Sequence, residues 1–361
     1  MLTFKRKLIL NKAQSRRIDE WVGVCRFVYN MCIEIKKESY KNKGISVSRF
    51  DLSKQLSEIR NIDWVADVPR QVLENAIKRM DLAYGQFFKT YKIGGGFPKF
   101  AIKGRYSSIQ FYQNVWVGEN YIRIPKIGQL KMFKDSPISG VIKIATIKKE
   151  LGDYYVCVTT DAVKSINSQD KSQVLGLDMG IARLLTDSNG QYVDNPRHYQ
   201  KYERKLRIEN RTLSRKRQFG KNWIKQKRKI AAIHSKIADV RADFLHKEST
   251  RIAKHYNTVV IEDLNISGMQ RSRLGKNITD VGWGMFRKML EYKTNVIAVN
   301  PKFTSQTCND CGAVDRKSRI SQSDFICTAC GTKSHADENA AKNILGQGMA
   351  VIRQREAQAC A

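Results

Sequence analysis

Val299 to Gly312 reads V-N-P-K-F-T-S-Q-T-C-N-D-C-G, Phe325 to Gly331 reads F-I-C-T-A-C-G, and His335 to Leu345 reads H-A-D-E-N-A-A-K-N-I-L. Cys308, Cys311, Cys327 and Cys330 make two C-x2-C knuckles with fifteen residues between them. That is the spacing of a four-thiolate zinc ribbon. A glycine follows each knuckle, Gly312 and Gly331, where a tight turn must aim two thiolates at one metal. Seven residues beyond Cys330, Asp337 opens a short helical pattern, so a zinc staple would fix where its carboxylate points.

Two further acidic residues sit at the ends of apolar runs upstream: Asp178 in V-L-G-L-D-M-G and Glu262 in T-V-V-I-E-D-L. The order is strand, turn, strand, long helices, strand, strand, helix, which is RNase H-like. In that architecture acidic strand ends and one residue of the final helix surround a pair of metals. Mg²⁺ takes hard oxygen ligands and leaves room for substrate phosphate. Two ions about 4 Å apart activate water and stabilise a leaving oxygen in phosphodiester displacement. Three crowded carboxylates raise one another's pKa unless a cation is present. Asp178, Glu262 and Asp337 are therefore the candidate catalytic metal ligands.

Composition agrees. The chain has 361 residues, is 42% hydrophobic and carries a net charge of +31 from 65 Lys+Arg against 34 Asp+Glu. Its length allows two or three domains, and its charge favours a polyanionic partner. Its apolar runs are shorter than the roughly 18 residues of a membrane span, and the basic start is too short for a signal peptide. A cytoplasmic, nucleoid-associated protein is expected, with no membrane partner. Eight cysteines in that compartment argue for metal rather than disulfides, with Cys25, Cys32 and Cys157 as core residues and Cys360 in the tail.

The N-terminal half alternates type. Thr3–Leu10 reads as a strand. Helical spacing follows from Asn11 to Tyr40, around Arg49–Arg60, and from Pro69 to Tyr91. Tyr84, Phe87, Phe88 and Tyr91 are expected in the core of that helical domain. Gly94–Gly96 reads as a hinge, since no phosphate-binding glycine motif surrounds it. Alternating residues from Ser107 to Thr160 predict a small β-barrel or sandwich, with the helices inserted after its first strand. Lys99, Lys103, Arg105, Arg123 and Lys126 would decorate it, as solvated charges or as phosphate contacts. Ala162–Ser172 reads as a linker. Asp187-Ser188-Asn189-Gly190 is a hairpin turn. Lys201–Lys229 carries thirteen Lys/Arg against two Glu, a helical hairpin facing nucleic acid, anchored by Trp223, Ile224, Ile230 and Ile233. After Gly346 the tail reads as polar and frayed.

The motifs G-L-D-M-G-I, V-V-I-E-D-L-N-I, W-G-M-F-R-K-M-L-E-Y-K, N-P-K-F-T-S-Q-T-C-x-x-C-G and H-A-D-E-N-A-A-K-N-I-L together resemble the TnpB (OrfB) proteins of insertion sequences. C-R-F-V-Y-N and F-P-K-F extend the likeness over nearly the whole chain. Those proteins in turn resemble the RuvC nucleases of type V CRISPR effectors. The resemblance implies a multidomain α+β protein. Residues 1–10 and 95–165 would form a wedge-type β-barrel, 11–94 a helical recognition lobe, and 172–300 with 332–347 a RuvC nuclease. Residues 301–331 would be the inserted zinc ribbon, and 348–361 a flexible tail.

It further implies an RNA-guided DNA endonuclease, with a guide RNA from the transposon end and a double-stranded DNA target beside a short adjacent motif. Zinc would be structural. Mg²⁺, replaceable by Mn²⁺, would be catalytic on Asp178, Glu262 and Asp337. The chain departs from the family after Lys293, where the connection to V-N-P is short and lacks a Tyr-Gly pair. The alternatives are an RNA-guided repressor or marker that cuts weakly or not at all, a strand-joining transposase, and a plain zinc-ribbon nucleic-acid binder. The intact carboxylates favour the nuclease over the repressor and leave the zinc-ribbon binder unable to account for them. No H-u-H pair supports the transposase.

Overall fold

The computed structural model of the chain describes residues 1–162 and 173–359. Most of the predicted linker lies outside them, as does Cys360. Two compact units emerge, Met1–Val163 and Lys164–Ala361.

The first unit comprises β1 (Leu2–Ile9), α1 (Lys12–Lys43), α2 (Arg49–Ile59), α3 (Asp63–Ala66) and α4 (Arg70–Thr90). Then follow β2 (Ser108–Phe111), β3 (Trp116–Val117), β4 (Tyr121–Ile124), β5 (Gly128–Met132), β6 (Ile142–Glu150) and β7 (Asp153–Thr160). Asn11 starts α1 with a capping box to Gln14, and Gly44 ends it at φ +65°. The strands make one seven-stranded sheet in the order β2-β6-β7-β1-β5-β4-β3. β1 changes partner along its length, from β7 at Leu2–Lys7 to β5 at Leu8–Ile9. The expected barrel is thus a bent sheet with β2 and β3 at its edges. β3, only two residues long, has no length to close the ring.

Helices and sheet share a single core rather than two, with Trp21 of α1 against Phe111 of β2 at 6.4 Å. Cys25 and Cys32 are buried there, and Cys157 is half-buried. Lys126 donates to the carbonyls of Ala66 and Asp67 at 3.1 and 3.0 Å, so this cation is engaged at the end of α3. The aromatics of α4 differ from expectation. Tyr84 alone is buried, while Phe87 is half-buried and Phe88 and Tyr91 face solvent.

The second unit is built from β8 (Val174–Asp178), β9 (Arg183–Asp187), β10 (Tyr192–Asp194), α5 (His198–Ser214), α6 (Lys221–His255) and β11 (Thr258–Glu262). It continues through α7 (Ile266–Met269), α8 (Gly275–Val281), α9 (Trp283–Glu291), β12 (Asn295–Val299), β13 (Asp324–Ile326), β14 (Lys333–His335) and α10 (Ala336–Ala359). Its five-stranded sheet runs β10-β9-β8-β11-β12. β8 and β9 are antiparallel, while β11 lies parallel to both β8 and β12. Gly190 closes the β9–β10 hairpin at φ +81°.

α5 and α6 form the basic hairpin. Leu206, Ile230, Ile233 and Ile237 bury its seam. Ile230 and Ile233 anchor it as the pattern predicts, whereas Trp223 is half-buried and Ile224 exposed. Asp280 of α8 accepts from the backbone N–H of Tyr199 and pairs with Arg241 at 3.1 Å, latching α5 to α6. The short connection after α9 is closed by Lys293. Its buried ammonium donates to Ser249 Oγ at 2.6 Å, Thr250 Oγ1 at 2.9 Å and the His246 carbonyl at 3.1 Å, all on α6.

The frayed tail expected after Gly346 is instead the second half of α10. Val351 and Ile352 pack on Val260 and Ile297. Gly348 permits this, since a Cβ there would lie 2.3 Å from Val260 Cγ2. Glycine in this helix marks a close approach to the sheet rather than an end.

Candidate metal-binding site

Asp178 ends β8 and Glu262 ends β11, two adjacent parallel strands in register from Thr258↔Val174 to Ile261↔Leu177. Their carboxylates therefore leave the sheet at the same edge. Asp337 lies in the first turn of α10. Gly176 explains how that turn reaches the edge. A Cβ at Gly176 would lie 2.4 Å from the Ala341 carbonyl and 2.8 Å from Leu345 Cβ, so the bare glycine lets α10 lie directly on β8. From Gly176 to Asp178 is two residues of strand, about 6.6 Å. From Ala341 back to Asp337 is four residues of helix, about 6 Å. Contact at one pair thus delivers the other pair to the same level.

The electrostatics reflect this convergence. Burial pushes Asp178 up to about 7, the fields of Glu262 and Asp337 push the same way, and Arg319 opposes them. Burial also raises Glu262, against the hydrogen bond it accepts from Thr304. Thr304 Oγ1 donates to Glu262 Oε1 at 2.6 Å and is itself buried. Arg319 Nη2 pairs with Asp337 Oδ1 at 3.2 Å, and the Asp337 N–H donates to His335 Nδ1 at 3.2 Å. Sequence reasoning missed Thr304 and Arg319. Only the N-P-K-F-T motif could have pointed to the first, and nothing in the spacing marks the second.

The other face of α10 holds the ribbon. Asn339 Nδ2 donates to the Thr307 carbonyl at 2.7 Å, and its Oδ1 accepts from the Asn309 N–H at 2.9 Å. Asn343 Nδ2 donates to the carbonyls of Thr304 and Thr307 at 2.9 and 2.7 Å. The loop so held carries both Thr304 and Cys308. Hence one helix sets Asp337 on one face and, through two asparagines, the threonine that orients Glu262 on the other.

The four cysteines converge as their spacing predicts. Their sulfurs all lie within 4.8 Å of one another, with Cys308–Cys330 at 3.7 Å and Cys311–Cys327 at 3.6 Å. A tetrahedron of thiolates at a Zn–S distance of about 2.3 Å has edges of about 3.8 Å, so the cluster fits zinc. Gly312 and Gly331 adopt φ +74° and +76°, and their N–H groups close matching turns on the Cys308 and Cys327 carbonyls. Hydrogen bonds from Thr332, side chain and then backbone, followed by those from Cys311 and Cys327, bring Cys330 down to about 6, which suits a thiolate ligand. Among the described residues, this is the only such group gathered that tightly; the three carboxylates are set more loosely, with Asp337 held by Arg319.

A mixed α/β chain with four cysteines placed to hold a metal and a carboxylate-edged sheet defines a class, and comparison with known proteins gives the family. The probable-transposase model of the OrfB/IS605 group matches residues 155–273, a Cas12f1-like TNB domain matches 283–344, and a helix-turn-helix domain matches 1–44. The chain is 34% identical over 375 residues to the Escherichia coli (strain K12) protein named "Putative RNA-guided DNA endonuclease InsQ", covering 97% of this chain and 92% of that one. A Streptomyces pristinaespiralis protein bearing the same functional name is 28% identical, covering 96% of this chain and 89% of its own. Among solved structures, the Cas12f1–sgRNA–target DNA complex shares the fold at TM-score 0.60 and 16% identity, over 93% of this chain and 83% of that one. The chain belongs to the TnpB (OrfB) family of insertion-sequence proteins.

Proposed function

We propose that this chain is an RNA-guided DNA endonuclease whose second unit is an RNase H-like, RuvC-type domain cutting DNA at Asp178, Glu262 and Asp337. The observation that carries the cutting site is the approach of Asp178 and Glu262, at the ends of adjacent strands, to Asp337 on α10, and the raised Asp178 agrees with it. A carboxylic acid held near neutrality by burial and two like charges is a site short of positive charge. The donor set is all oxygen, which suits Mg²⁺ or Mn²⁺. Divalent cations held there would activate a water and stabilise the leaving 3′ oxygen of an in-line displacement.

The chain's own residues do the rest. Asp178 and Glu262 present carboxylate oxygens from adjacent strand ends. Thr304 fixes one oxygen of Glu262 and leaves the other free of that bond. Arg319 neutralises Asp337 until a stronger cation competes, and it is then free to meet a phosphate. The names of the relatives support the guided reading, as does a net charge of +31. In the same reading the guide comes from the transposon end, and the target lies beside a short adjacent motif. The sheet of the first unit acts as the wedge and its helices as the recognition lobe. Guide pairing reads the sequence while the protein holds backbone and shape.

The test is to express the protein with its native flanking DNA, sequence the RNA that copurifies, and assay cleavage of a matching target with Asp178 and with Asp178→Ala. A single abundant RNA with a constant part, and cleavage abolished by the substitution, is expected. Heterogeneous RNA or none overturns guiding. Target binding without cleavage by the intact protein moves the reading to a guide-directed repressor.

A further inference from the structure

The first unit contains an aromatic concavity that neither the fold nor the nuclease reading uses. Its floor is Tyr84 and Phe87 of α4 and Phe97, which follows the glycine run. Phe97 meets Tyr84 edge-on at 5.3 Å and 81°, and Phe87 at 5.3 Å and 72°. Phe88 and Tyr40 stand at the mouth, 63% and 70% exposed. The concavity measures about 820 Å³. Its other wall is the C-terminal end of α1 with the loop after Gly44. Lys36 spans the two, donating to the Val47 carbonyl at 2.6 Å with its ammonium 5.1 Å above the Tyr84 ring.

Every charged side chain lining the concavity is a lysine: Lys36, Lys37 and Lys41. Flat rings that can accept a stacked π-face, bordered by ammonium groups, form a receptor for an unpaired nucleotide. We propose that this concavity binds unpaired nucleotides of a single strand, stacking bases on Phe88 and Tyr40 and seating their phosphates on Lys37 and Lys41. This rests on the reading of the chain as a nucleic-acid binder, though not on cleavage. The chemistry is shared by unpaired RNA and displaced single-stranded DNA, and the experiment separates them.

The full-length protein is titrated with fluorescent uridine-only RNA, thymidine-only DNA and a duplex control, over a series of salt concentrations. Phe88→Ala removes a largely exposed ring and no charge. It is expected to weaken the preferred single strand by about 5- to 100-fold at every salt concentration, leaving the duplex and the salt slope unchanged. Lys37→Gln is expected instead to shallow the slope by about 0.7. Photocrosslinking with an iodo-substituted pyrimidine strand, followed by peptide mapping, should place the adduct on Tyr40, Tyr84 or Phe88. Whichever strand gives that adduct is the source.

Equal single-strand affinity for wild type and Phe88→Ala overturns the proposal. So does a loss shared by the duplex, adducts confined to the second unit, or tight uptake of an acidic peptide that the single strand fails to displace. If the protein still copurifies with one RNA and cuts its target while Phe88→Ala changes nothing, the pocket reading alone has failed. If no RNA copurifies but the Phe88-dependent stacking is seen, the guided reading alone has failed.

Discussion

Replacing Asp178 with asparagine should make the Mg²⁺-free protein more stable, by an amount that depends on pH. The acid's folded-state value rises from 3.8 to about 7. Its folded form therefore binds a proton that the unfolded form releases between those values. Stability from this group is intact below about pH 4, falls as pH rises toward 7, and is constant above. At about 1.36 kcal/mol per unit, the destabilisation in neutral or mildly alkaline buffer is on the order of 4 kcal/mol. At pH 5 only about 1.5 to 2 kcal/mol of it has developed. Asparagine carries no charge at any of these values. Whatever it gains or loses in hydrogen bonding is common to both conditions, and the difference between them isolates the ionisation.

The assay is urea unfolding at pH 5 and pH 8 with zinc retained and no Mg²⁺. It should be followed by amide exchange of β8 and β11, so that the second unit is read by itself. The variant's advantage should be larger at pH 8 by about 2 to 3 kcal/mol. Adding Mg²⁺ should stabilise the wild type and narrow the gap, because the ion binds the folded state alone. An advantage equal at both pH values would show that neither burial nor the neighbouring carboxylates raise Asp178, and the argument for a cation-seeking site would fall with it.

Four further outcomes follow from the geometry. Gly176→Ala places a Cβ 2.4 Å from the Ala341 carbonyl and must push α10 off β8 by roughly 1 Å, costing about 1–3 kcal/mol. Displacement of Asp337 by that distance should lower single-turnover cleavage about 100-fold, whereas Gly346→Ala, which meets nothing within 4 Å, should raise the Tm slightly and spare the rate. Thr304→Val loses the 2.6 Å bond to Glu262 and should cost about 1–3 kcal/mol while lowering kcat more than it raises KM for target DNA. Arg319→Ala should change stability by less than about 1 kcal/mol, because the pair is partly exposed, yet reduce cleavage at saturating Mg²⁺. Chelating zinc should expose Cys308 and Cys327 to thiol reagents and lower cleavage in parallel, and re-adding zinc should restore both.

The metal centre was the most legible part of the chain. Four cysteines and two following glycines encode both the ligands and the turns within about twenty-five residues. The edge positions of Asp178 and Glu262 could also be read, because a short apolar run ending in an acid has few other meanings when it recurs. Arg319 could not. It lies eighteen residues before Asp337 and reaches it only because the ribbon folds back over the site. Nor could the roles of Asn339 and Asn343, which stitch the helix to the cysteine-bearing loop through carbonyls that no pattern marks. Gly346 and Gly348 misled for the opposite reason. Their usual meaning is a helix end, and the close packing of Gly348 on Val260 overrides it. The exposed rings of α4 show the same limit, since periodicity gives a face but not what covers it.

α10 has a consequence for incomplete chains. The three carboxylates lie at positions 178, 262 and 337, and the last is carried by the helix that also closes the sheet. A fragment ending before Ala336, from a nonsense codon, a stalled ribosome or a protease, keeps two acids and the basic helical hairpin. It lacks the third acid and the asparagines that orient Thr304. Such a product could still cling to nucleic acid, but its acidic edge would be unfinished. If the three acids are the cutting site proposed above, only a chain synthesised through α10 would be competent to cut.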